Sequence, residues 1–145
     1  DAAAALGIEN VEDATVFATG IMVAEALKAQ AALKEEGINI RVVDFHTIKP
    51  IDKEAILKAV TETRRIITVE DHTVIGGLGS AVAEVMAQYG KGCAFKMLGH
   101  KSFAMIGLHE DIMSDAGIDA NGIIAAVRET MNADFEEDDN WDDEV

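Results

Sequence analysis

The sequence predicts an α/β domain with a parallel sheet covered by helices on both faces. Short β-branched runs alternate with longer stretches whose apolar residues recur every three and four positions. Those stretches are long enough to cross from one parallel strand to the next. At 145 residues, 49% hydrophobic and 27% charged, the chain suits one domain with its own core.

The elements follow in order. "ATVFATG", residues 14–20, reads as a buried strand ending at Gly20. "IMVAEALKAQAALKEEG" follows with helical spacing, and Gly37 is its stop signal. "INIRVVDF", residues 38–45, is the second strand. "HTIKPID" connects it to "KEAILKAVTETR", a helix for which Asp52 is the predicted N-cap. "RIITVE", residues 65–70, is the third strand, and "HTVIGGLG" leads to a helix over residues 80–89. "YGKG" breaks the chain before a fourth strand, "CAFKML". Residues 99–116 are turn-rich, with a short amphipathic piece, "LHEDIMSDAG". The last helix covers about residues 121–131, with Asp119 or Asn121 as its cap. The first thirteen residues fit a frayed end or an edge strand.

Composition excludes several classes of function. The net charge is -15, with eight acids and no base in "DFEEDDNWDDEV", residues 134–145, read as a solvated, disordered tail. Twelve Lys and Arg cannot form a dense basic stripe, so nucleic acid is not an expected partner. No apolar run approaches the ~20 residues of a membrane helix, and no secretory signal pattern opens the sequence. The single cysteine, Cys93, allows no internal disulfide and no multi-cysteine metal cluster. A reducing cytoplasm is the expected setting.

The stretch "ITVEDHTVIGGLGSAVAE" invites a nucleotide reading, because strand, glycines and helix N-terminus together present amides to a phosphate. The dinucleotide fingerprint fails: Val82 stands at the third glycine position, and no acid ends the next strand to hold a ribose. No P-loop Gly-Lys-Ser or Gly-Lys-Thr occurs. Two readings stay open. Free amides at Leu78 to Ala81 could bind a small anion, although Glu70 and Asp71 would oppose it. Alternatively, Gly76, Gly77 and Gly79 permit positive φ and close packing. His46 and His72 fall just past the carboxyl ends of predicted strands, where open α/β sheets bind ligands. His72, in "EDH", could be held in one tautomer by its acidic neighbours or be structural. His100 and His109 show no partner in sequence. "HED" is not a metal motif, Ser80 is not in a nucleophile elbow, and Cys93 reads as a small core residue. Lys49 and Lys101 read as solvated. No catalytic, cofactor-binding or metal-binding residue is assigned.

Four segments carry a resemblance: "VFATGIMVAEALKAQAAL", "INIRVVDFHTIKPID", "RIITVEDHTVIGGLGSAVAEVMA" and "GIDANGIIAAVRE", spanning residues 15–129. Together they resemble the C-terminal domain of the transketolase family of thiamine-diphosphate enzymes. The pattern looks most like the C-terminal section of split transketolases. It is also close to deoxyxylulose-phosphate synthase, and less so to the β subunit of 2-oxoacid dehydrogenase E1 enzymes. The resemblance implies a three-layer α/β/α fold over residues 1–133. Its sheet would have five strands, four parallel and one antiparallel at the edge, with "AAAALGI" as the antiparallel one. The implied enzyme is a transferase of the pentose phosphate pathway, moving a two-carbon ketol unit between sugar phosphates. Thiamine diphosphate and a divalent metal would bind other domains, so this domain would be inactive alone. Its implied role is support of the dimer and of contacts with the thiamine-binding domains or subunit. His72, Gly76, Gly77, Gly79 and Ser80 match the family segment and are assigned to an interface or anion turn. A regulatory or small-anion-binding module is the alternative.

Overall fold

The computed structural model describes residues 12–132. Four strands, β1 (Ala14–Ala18), β2 (Ile40–Asp44), β3 (Arg65–Thr73) and β4 (Ala94–His100), form one sheet in the order β2-β1-β3-β4. Every pairing is parallel. The helices are α1 (Met22–Glu35), α2 (Lys53–Thr63), α3 (Leu78–Gln88), α4 (His109–Ala116) and α5 (Ala120–Asn132). The described sheet therefore has four strands rather than the five expected. The antiparallel strand expected at "AAAALGI" and the acidic tail lie outside the described residues.

Alternation along the strands builds the three layers. Ala14, Val16 and Ala18 of β1, with Ile67 and Val69 of β3, pack under α1, α4 and α5 through Met22, Leu33, Met113, Ile123 and Val127. Phe17 and Ile66 face the other way, onto Ile56 and Val60 of α2 and Leu78, Val82 and Val85 of α3. Phe17 and Phe45 meet edge to face at 4.8 Å. Central β1 is buried along its whole length, which explains why it reads as a continuous apolar run.

Helix ends follow local chemistry. Gly37, at φ +81°, closes α1 with its amide donating to the Lys34 carbonyl while the Ile38 amide donates to that of Leu33. The Asp52 carboxylate accepts from the Ala55 amide at 3.0 Å and starts α2. For α5, the cap is Asp119, which accepts from the Gly122 amide at 2.9 Å, and not Asn121.

The structure corrects three boundaries. β3 runs through Thr73 rather than ending at Glu70, so Asp71 and His72 lie in the strand and not past its end. β4 runs through His100, which removes Gly99 and His100 from the turn-rich stretch, and α4 is a helix of eight residues. α3 starts at Leu78, inside the glycine cluster, rather than at Ser80. The cause of the last is a carboxylate from β3, described next.

Candidate functional site

The glycine turn sits at the carboxyl edge of the sheet, between β3 and α3. Ile66, Thr68 and Glu70 alternate onto the α3 face of β3. Glu70 therefore points inward, and it is 2% exposed. Its Oε2 accepts from the Gly79 amide at 2.7 Å. That amide lies in the first turn of α3, where donors have no partner within the helix and the dipole favours negative charge. The Ala81 amide donates to the Gly77 carbonyl at 3.1 Å. Two of the amides expected to be free for an anion are thus taken internally. Glu70 is not an outward opponent of an anion but the group that occupies its place.

The glycines make room for this arrangement. A Cβ on Gly77 would lie 1.6 Å from Glu70 Oε1. One on Gly79 would lie 2.7 Å from Met97 Sδ and 2.8 Å from Thr68 Oγ1. Gly76, at φ +78°, is the residue of the turn that needs a left-handed conformation. Its amide donates to Ser80 Oγ at 2.8 Å, and the Ser80 hydroxyl donates to the Val74 carbonyl at 3.0 Å. Ser80 ties the turn together and is engaged at both its donor and its acceptor. Val82, the residue that breaks the dinucleotide pattern, is fully buried under the sheet.

β3 and β4 stay in register up to Val69 and Leu98, then slip so that Thr73 faces His100. The irregularity displays the histidines. His72 Nδ1 lies 2.8 Å from the Thr73 carbonyl and 3.4 Å from Glu70 Oε1. Geometry assigns the proton of the neutral ring to Nδ1, which donates to the carbonyl. His100 Nε2 lies 2.9 Å from Asp71 Oδ1, a pair 29 residues apart that sequence reasoning missed. Period-two alternation and the pairing of two adjacent strand ends would have been the signal for it. His46 lies beyond β2, with β1 between it and the His72 edge, and contacts Thr47 Oγ1 at 2.8 Å. Lys49, Lys101 and His109 are exposed.

Nothing in this arrangement prepares a nucleophile. The Ser80 hydroxyl is spent on the turn. Cys93 packs against the α2–α3 core, and burial pushes its thiol up to about 11, with Arg64 opposing. Among the described residues no group of three or more His, Cys, Asp or Glu could hold a metal ion. The α3 N-terminus does not fit a pyrophosphate, because the Glu70 carboxylate fills the position that a phosphate oxygen would take, and a second negative charge there would be repelled.

Fold and site together define a doubly covered parallel α/β domain whose conspicuous glycine turn is closed by its own carboxylate. Residues 5–123 match the family described as "Transketolase, C-terminal domain", and the chain belongs to that family. It is 41% identical over 120 residues to the 6-deoxy-6-sulfo-D-fructose transketolase subunit SqwH of Clostridium sp. strain MSTE9, covering 81% of this chain and 36% of that protein. It is 38% identical over 123 residues to the 1-deoxy-D-xylulose-5-phosphate synthase of Heliobacterium modesticaldum, covering 84% of this chain and 19% of that protein. A solved structure described as "Split gene transketolase, inactive beta4 tetramer" superposes with a TM-score of 0.78 at 36% identity, over 86% of this chain and 41% of that one. The chain thus spans well under half the length of these relatives. No helix among the described residues is long and apolar enough to cross a membrane.

Proposed function

We propose that the chain serves as the non-catalytic C-terminal domain of a transketolase-type enzyme, supporting assembly of the thiamine-binding part and of the dimer. The carrying observation is the Glu70–Gly79 closure: the one glycine turn that resembles a cofactor cradle is filled from within. In this reading, thiamine diphosphate and its divalent metal are held by the remaining polypeptide of the parent enzyme. That cofactor would supply the stabilised carbanion needed for two-carbon transfer. This chain's residues would contribute rigidity and surface, in a cytoplasmic enzyme of sugar-phosphate metabolism.

The match to a deoxyxylulose-phosphate synthase over 123 residues supports a second reading, in which that enzyme is the parent. The test uses calorimetry and a ketol-transfer assay. The chain alone should neither bind thiamine diphosphate with magnesium nor transfer a ketol unit. Adding the thiamine-binding portion of the parent should produce a complex. Micromolar cofactor binding by the chain alone would overturn the reading.

A further inference from the structure

Of the five asparagines in the chain, only Asn121 is followed by glycine. The others precede Val11, Ile40, Ala133 and Trp141, each of which carries a Cβ beside its amide nitrogen. Asn121 is exposed in the first turn of α5. Packing fixes the glycine that follows it. A Cβ on Gly122 would lie 2.0 Å from the Gly117 carbonyl oxygen, at the joint between α4 and α5. The fold therefore leaves the Gly122 nitrogen without the side chain that would hinder its attack on a neighbour. In place of that shield, the Gly122 amide donates to Asp119 Oδ1 at 2.9 Å. The Ile123 amide donates to the Asp119 carbonyl at 3.0 Å, which holds the same residue in place.

We propose that Asn121 is a modification site: it deamidates when the first turn of α5 opens, and Asp119 guards it while the turn is closed. The reaction needs only water. The Gly122 nitrogen loses its proton and attacks the Asn121 carboxamide carbon. An N–Cγ bond forms, the Cγ–Nδ2 bond breaks, and ammonia leaves carrying the displaced proton. Water then opens the succinimide at one of its two carbonyls. One opening gives aspartate at position 121. The other gives isoaspartate, whose main chain runs through Cγ. No electron is transferred, and each product carries one more negative charge than the parent. The folded chain opposes the first step in two ways. The proton to be lost is the one that Asp119 accepts, and the carboxylate disfavours negative charge developing on that nitrogen. The helical backbone also holds the Gly122 nitrogen out of line with Asn121 Cγ, so the turn must unwind before the ring can close. The two products differ in consequence. Aspartate keeps the backbone intact and lies where the α5 dipole favours negative charge. Isoaspartate adds a main-chain carbon before Gly122. It displaces that glycine from Gly117, and with it Ile123 and Val127, which are buried in the core under β1 and β3. The site is independent of which parent enzyme the domain serves.

The test incubates the full 145-residue chain at mildly alkaline pH, folded and in urea, and maps aspartate and isoaspartate at every asparagine by peptide mass spectrometry. In urea, Asn121 should convert faster than the other four, and no conversion there overturns the proposal. In the folded chain, conversion should be at least ~10-fold slower, the factor that one charge-assisted hydrogen bond supplies. Equal rates in the two states would refute the guard. Asp119→Ala should speed conversion in the folded chain ~10-fold, and an unchanged rate would contradict the role of Asp119. One measurement needs no variant. As urea is raised below the unfolding midpoint, conversion in the wild type should rise in parallel with amide exchange at Gly122, because both begin with loss of the same proton. Conversion that does not follow that exchange refutes the gating. The purified isoaspartyl chain should melt below Asn121→Asp, and equal midpoints would contradict the role of the Gly117 contact.

Discussion

Replacing Gly77 by Ala tests the closure of the glycine turn. Gly77 has an ordinary φ of -102°, so the substitution costs little in backbone strain. The cost is steric: the new methyl would sit 1.6 Å from Glu70 Oε1, and the carboxylate must leave. Its departure breaks the 2.7 Å bond to the Gly79 amide, a charge-assisted contact worth about 1.5–3 kcal/mol. It also strands a buried amide and forces a 2% exposed carboxylate into a new position, adding about 1–3 kcal/mol. The expected loss is about 3–5 kcal/mol, a large share of the ~5–15 kcal/mol stability of a typical domain. Glu70→Ala should cost about 2–3 kcal/mol by stranding the same amide. The double variant should cost about 2–4 kcal/mol, far less than the two single losses together, because the methyl then enters space the carboxylate has vacated. Urea unfolding of the four proteins reads the cycle. A Gly77→Ala loss below about 0.5 kcal/mol, or additive losses, would refute the reasoning.

Further predictions follow from neighbouring contacts. Gly79→Ala should cost about 1–3 kcal/mol through overpacking against the Met97 thioether and the buried Thr68 hydroxyl, and urea midpoints would show it. Ser80→Ala should cost about 1 kcal/mol and accelerate amide exchange at Gly76, whose donor loses its acceptor. Glu25 accepts from Lys28 Nζ at 2.6 Å and from the Ala120 amide at 2.9 Å, and Lys28 leads in holding its carboxyl below the ordinary 4.5, against burial. A carboxylate depressed in the folded state stabilises above its unfolded pKa, and that contribution disappears as pH falls through the folded value. Thermal midpoints of the wild type should therefore drop more steeply below about pH 4.5 than those of Glu25→Gln. Cys93, raised from 9.0 to about 11 by burial, should carry roughly a hundredfold less thiolate at pH 8 than the unfolded chain. Iodoacetamide rates in buffer and in urea would measure this.

Much of the fold was legible because it rests on local rules. Short β-branched and apolar runs marked β1 to β4, and the stops and caps at Gly37, Asp52 and Asp119 act within four residues of their helix ends. What failed was non-local. α3 begins two residues early because Glu70, nine positions upstream, answers its first-turn amide. Asp71 and His72 read as lying past the strand because polar residues seldom continue a buried strand, yet β4 supplies a partner as far as Thr73. The site shows the same division. Glycines, histidine and serine were visible as residue types. The direction of Glu70 decides whether the turn is open or closed, and it depends on strand parity that could have been counted from Ile66 and Thr68. The Asp71–His100 pair depends on where β4 ends, which the pattern of "CAFKMLGHK" left two residues short.

The most direct measurement is an amide-shift titration of the labelled chain with magnesium thiamine diphosphate, and separately with phosphate, read at residues 76–80. With Glu70 holding the Gly79 amide, those resonances should stay fixed at millimolar ligand, and Glu70→Gln should leave Gly79 still bonded through a side-chain oxygen. A saturable shift of Gly79 in the wild-type chain would show the turn open to an external anion and contradict its closure from within.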